Sequence, residues 1–110
     1  MPSEIRLITF TKPEIVAAIS DFHIRRKLPI PKGAVLSVDI ATKPEIEVTL
    51  HVRPDGEHDP VPFPVNATTL AAALVFFCIN RGIPLPAQST KHLTMRGEEV
   101  TLAISHIHHG

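Results

Sequence analysis

His106, His108 and His109 crowd the C-terminal end of this 110-residue sequence. Alternate residues of an extended strand share one face, so His106 and His108 would stand side by side if the last strand ran on through them. Two imidazoles placed in that way can chelate a metal, with zinc or nickel the natural choices. His58 and Asp59 could supply further ligands. The spacing matches no established ligand motif, however, and a loose polar tail over residues 107–110 is the simpler account. No cofactor is therefore expected, and Zn or Ni at His106 and His108 is the exception to look for.

The other reactive side chains stand alone. His23 lies beside Phe22 in a helical pattern and His51 on the polar face of a strand pattern; both read as surface or rim residues, because a general base needs an orienting partner that the sequence does not display. Cys78 is flanked by Phe77 and Ile79, a setting that suits a buried thiol better than a nucleophile. There is no glycine-rich phosphate loop, and no Ser-His-Asp or Cys-His pattern stands out. The expectation is a protein that is not an enzyme.

One basic run remains. Arg25, Arg26 and Lys27 close the first helical pattern, where cations favour the helix dipole. Arg81 holds the corresponding place in the second helical pattern. Together with Phe76 these residues form the candidate partner-binding set.

Composition limits what such a surface could bind. The chain has 11 Lys and Arg against 11 Asp and Glu, no Trp or Tyr, and five Phe that pattern as core. Without net positive charge or stacking aromatics, nucleic acid is disfavoured as a partner. The one Cys excludes an internal disulfide and favours a reducing compartment. The first ten residues lack the basic-then-apolar order of a secretory leader, and the apolar stretch Leu70 to Ile79 is too short to span a bilayer. A cytoplasmic location without membrane contact is expected.

The elements that must position these residues come in two similar sets. Shifted by 55 positions, residues 17–31 fall on 72–86 with seven identities in 15: Ala17 and Ala18 on Ala72 and Ala73, Phe22 on Phe77, Ile24 on Ile79, Arg26 on Arg81, Pro29 and Pro31 on Pro84 and Pro86. Ordinary composition would give roughly one. Ile8 and Phe10 fall on Phe63 and Val65, and Val38 and Ile40 on Leu93 and Met95. After a loss of three residues at a hairpin turn, Glu47 to Leu50 realign with Glu99 to Leu102. Each set reads as strand, helix, strand, strand. Thr11 with Glu14 forms a capping box, with Pro13 in the first helical turn. Asn66 caps the second helix, and Gly82 suits its end. Leu36, Val38 and Ile40, then Ile46, Val48, Leu50 and Val52, alternate with polar residues as strands do. Pro60, Pro62 and Pro64 would all face one strand edge and block it, which marks an edge strand or a polyproline-like run and not a central strand.

The fold expected is therefore α+β: an internally duplicated β-α-β-β unit with mainly antiparallel sheets packed on two helices. It should form a single domain over residues 1–110, with repeats at about 5–54 and 60–106. The second helix is apolar nearly all round, so it is covered by the first helix or by another subunit, and a homodimer through it is a further expectation. The function expected is a small cytoplasmic protein-binding or regulatory adaptor. The alternative is a metal- or small-molecule-binding protein, or an enzyme, with its site at the seam between repeats, lined by the two Pro-x-Pro connectors or the terminal histidines.

Overall fold

Thr11 starts the first helix through the capping box its spacing predicts. In the computed structural model, which describes residues 1–108, the Glu14 N–H donates to Thr11 Oγ1 at 3.3 Å and the Thr11 N–H donates to Glu14 Oε1 at 2.8 Å. The elements in chain order are β1 (Ser3–Phe10), α1 (Lys12–Arg25), β2 (Gly33–Ala41), β3 (Glu47–Pro54), β4 (Val61–Val65), α2 (Ala67–Asn80), β5 (Thr90–Arg96) and β6 (Glu99–Ile107). The protein is α+β, with two helices and two antiparallel three-stranded sheets. No helix of the described residues is long and apolar enough to cross a membrane.

The two helices end alike. Each last turn is closed by an arginine, Arg26 or Arg81, and then by a residue in the left-handed region, Lys27 at φ 56° and Gly82 at φ 70°. The next N–H reaches back to a helix carbonyl, Leu28 to His23 at 2.8 Å and Ile83 to Cys78 at 2.9 Å. That geometry favours glycine, so α2 ends without strain and α1 does not.

Strand pairing joins what the chain separates. The first sheet has the order β1-β6-β5 and the second β2-β3-β4. Each hairpin, β5–β6 or β2–β3, thus receives its third strand from the other half of the chain. Corresponding residues meet: Phe10 lies opposite Val100 and Val65 opposite Val48, while Ile8 lies opposite Leu102 and Phe63 opposite Leu50. The inward residues of the two central strands, Val48, Leu50 and Val52 with Val100, Leu102 and Ile104, are fully buried. They share one apolar core with Ile15 and Ile19 of α1 and Leu70 and Leu74 of α2.

Two details depart from the sequence reading. A bulge between Val35 and Ser37 changes the alternation of β2, so Val35 rather than Leu36 packs inward and Leu36 is exposed. Gly33 opens β2, where a Cβ would collide with the Arg53 carbonyl. The C-terminal tail expected to be loose from residue 107 is ordered further: Ile107 pairs with Ser3, and the His108 N–H donates to Pro2 O at 2.8 Å.

Truncating Leu50 to Ala should leave a cavity in this core and cost about 2–5 kcal/mol, read from urea denaturation. Replacing Lys27 by Gly should stabilise the protein by about 1 kcal/mol, because it removes a side chain from left-handed backbone. An unchanged or lowered midpoint would show that the Lys27 side chain offsets its strain.

Candidate functional site

Four of the five predicted binding residues, Arg25, Arg26, Phe76 and Arg81, converge where the helices cross. Asp21 is joined to Asn80 and Arg25 overlies Phe76, so residue numbers rise along α1 as they fall along α2: the helices run antiparallel. The Asn80 Nδ2 donates to Asp21 Oδ2 at 3.4 Å, and the Arg25 Nε donates to Asp21 Oδ1 at 3.1 Å. Arg25 and Asp21 are i,i+4 neighbours, and both are well exposed, so the pair orients the guanidinium more than it stabilises the fold.

Three arginines lie over three phenylalanines. The Arg25 Cζ is 5.8 Å from the Phe76 ring centroid, that of Arg26 5.2 Å from Phe22, and that of Arg81 4.5 Å from Phe77. Phe22 and Phe76 meet edge to face at 6.0 Å. Phe76 is half-buried, not the freely exposed ring a contact residue would present. A cleft of about 400 Å³ runs between Asp21, Arg25, Phe77, Asn80 and Arg81. Lys27 stands beyond the last turn of α1; its backbone N–H donates to Ile24 O at 3.2 Å, but among the described residues no side-chain hydrogen bond or stacking contact draws it into this cluster.

Sequence reasoning missed four residues of this surface. Ile24 and Ile79, 55 positions apart, are 66% and 61% exposed. The one signal in the sequence was that both are identities of the repeat; that they lie off the buried stripe shows only in the fold. Asp21 and Asn80 could not be found, because their pairing depends on how the helices cross.

The apolar surface of α2 is largely covered within the chain. Leu70, Ala73, Leu74, Phe77 and Cys78 are buried, with α1 its main neighbour. Burial disfavours the thiolate and pushes the Cys78 thiol up from its ordinary pKa.

The histidines fall into three settings. His23 is not at the rim; it is buried, its Nδ1 is 2.7 Å from Ile19 O, and its ring meets Phe63 edge-on at 5.3 Å. The ring nitrogen must donate to that carbonyl, which places the proton on Nδ1. His51 does have a partner, Asp39 Oδ2 at 2.7 Å from Nε2, on the open face of the second sheet. Ser37 lies opposite His51 in the register, but among the described residues no side-chain hydrogen bond joins them. His106 and His108 share a face as expected, with ring centroids 4.6 Å apart. The first hydrogen-bonds to Gln88 O at 3.3 Å, and the second has its Nε2 3.4 Å from Glu4 Oε1. Among the described residues no group of three or more His, Cys, Asp or Glu side chains could hold a metal ion, and His109 lies outside those residues.

The seam between the halves has a groove of about 540 Å³ between the Thr42–Ile46 turn, the start of α2 and β5. Neither Pro-x-Pro connector nor a terminal histidine lines it; its one charged residue is Glu45. The chain matches no family model, no curated protein and no solved structure.

Cys78 should resist a thiol reagent at pH 8 in the folded protein and react rapidly in denaturant. Its ionisation is easier in the unfolded chain, so the thiol's contribution to stability is present below the ordinary thiol pKa and lost as pH rises above it. Fast labelling under native conditions would overturn the buried assignment.

Proposed function

We propose that the protein is a small binding module, acting through protein–protein contact at the helix crossing and without catalysis of its own. One observation carries this reading: Ile24 and Ile79 stand exposed beside Arg25, Arg26 and Arg81, whose guanidinium groups overlie Phe76, Phe22 and Phe77. Arginine and aromatic residues around an apolar centre are what contact hot spots are made of. Stacking on a ring restricts each guanidinium, so less freedom is lost when it meets a carboxylate. The surface suits an apolar segment flanked by acidic residues. The seam groove supports a small-molecule site less well, since a single carboxylate gives a ligand little to orient on.

We also infer that the two halves descend from one duplicated unit. The support is that α1 and α2 start and end 55 residues apart, that their caps are alike, and that the two hairpin turns differ by the three residues lost in the sequence shift. The crossing has diverged in this reading: Asp21 and Arg25 of α1 correspond to Phe76 and Asn80 of α2.

The test is cross-linking from a photoreactive residue at position 24, followed by affinity measurement on the protein captured. Substituting Arg25→Glu and Arg81→Glu together should weaken binding roughly tenfold or more. Circular dichroism and the unfolding midpoint should stay near wild type, and Lys43→Glu, on the β2–β3 turn, should bind normally. Equal binding by all three proteins would sink the proposal.

A further inference from the structure

Of the four edge strands, β1 and β5 in the first sheet and β2 and β4 in the second, the two that correspond in the 55-residue shift, β1 and β4, are built differently. β1 and β4 are both edge strands, each paired on one side only. Pro2 O accepts from the His108 N–H, and β1 keeps one register without a shift. Backbone groups alternate sides along a strand, so the even residues of β1 bond to β6. The odd residues Ser3, Ile5, Leu7 and Thr9 point their N–H and C=O outward. In β4 only Val61, Phe63 and Val65 can donate to β3, because Pro62 and Pro64 have no N–H. The outward positions there are Pro62 and Pro64, with Pro60 just before the strand. Shifted by 55, these prolines correspond to Leu7, Thr9 and Ile5. One edge is thus closed against another chain, and its counterpart is open.

The open edge is also apolar. Ile5 is 71% exposed and Leu7 46%, and Ile107, opposite Ser3 on the same face, is 51% exposed. We propose that β1 pairs with β1 of a second copy, antiparallel about a two-fold axis at Ile5, joining the two first sheets into one continuous six-stranded sheet.

The register follows from charge. Outward-pointing residues must face each other to bond, so the axis passes through a residue and not between two. An axis at Glu4 sets Glu4 against Glu4, and one at Arg6 sets Arg6 against Arg6. At Leu7 the axis puts Arg6 opposite Ile8 and Glu4 opposite Phe10. Only an axis at Ile5 places each Glu4 opposite an Arg6, in the wide pair where cross-strand side chains lie closest. In that register Ile5 meets Ile5 and Ser3 meets Leu7, with bonds made both ways at each pair. Glu4 is 43% exposed and the Arg6–Pro84 hydrogen bond is at the surface, so both charges can reach across the axis.

Sedimentation of the untagged protein tests this, with a dimer expected at roughly 100 μM. Leu7→Pro copies the closed edge. It removes only an outward N–H that the single chain leaves unpaired, so it should give a folded monomer by circular dichroism. Glu4→Arg should also give a monomer, and Glu4→Arg combined with Arg6→Glu should restore the dimer. Ile5→Cys should oxidise to a covalent dimer, because opposed Cα atoms in a bonded pair sit about 5.5 Å apart, within disulfide reach. A wild-type monomer would overturn the proposal, as would a dimer that survives both Leu7→Pro and Glu4→Arg, or a monomer that instead takes up an extended peptide at β1. Partner capture through Arg25 and Arg81 is scored separately on Leu7→Pro, so failure of either proposal is seen without the other.

Discussion

Exchange of β1 and β4 between the halves is the constraint on which the rest depends. β6 is central only because β1 comes from the far end of the chain, and β3 only because β4 crosses from the second half. Without the exchange each hairpin would lose a strand, and the backbone groups of its inner strand would have nothing to bond. Phe10 and Val65, which the exchanged strands carry into the core, would lose their cover as well. Hydrogen bonding and core burial therefore depend on the same step, and neither half can complete its sheet alone. The pairing of Ser3 with Ile107 spans nearly the whole described chain, so this contact closes a long loop and carries the corresponding entropy cost.

The helix crossing follows from that exchange. Each exchanged strand leads straight into a helix, β1 into α1 and β4 into α2, and the two helices pack on each other antiparallel. Ile15, Ile19, Leu70 and Leu74 fill the space beneath, and Phe22, Phe76 and Phe77 close the upper part. Phe77 is the link between depth and surface: it meets Phe10 of β1 edge-on at 6.0 Å, and Arg81 lies over its ring. A guanidinium at that position reports on the exchanged strand, because the ring beneath it is held by the strand's last residue.

Local rules made the elements legible in the sequence. Capping residues, prolines and alternation located all eight, and the 55-residue shift set both helices at their true spacing. What remained hidden was whatever depends on partners distant in sequence. The alternation of Ile46, Val48, Leu50 and Val52 gave an inward face but could not name β4 as the neighbour. His23 read as a rim residue because its burial is made by Phe63, 40 positions away. Leu36 read as core because a bulge has no period of its own. Of the candidate binding set, Arg25, Arg26 and Arg81 were visible as charges at helix ends, whereas Ile24 and Ile79 emerged only once the buried stripe was known.

The differences between corresponding positions are informative in themselves. Where they face the core, both halves keep apolar residues: Ile19 and Leu74, Phe22 and Phe77, Val48 and Val100, Leu50 and Leu102 are all buried. Nearer the surface some pairs are kept, Ile24 with Ile79 and Arg26 with Arg81, but others change chemistry: Asp21 against Phe76, Arg25 against Asn80, and Ile5, Leu7 and Thr9 against Pro60, Pro62 and Pro64. Packing explains the first group, since a core filled to native density tolerates few other shapes. It does not explain the second, because exposed substitutions usually change stability very little. An edge closed by three prolines guards against unwanted pairing, and that guard is missing from the one related edge that carries an exposed isoleucine and leucine. Such a difference has a physical reason if the two edges face different surroundings, one turned to solvent and the other to a second chain.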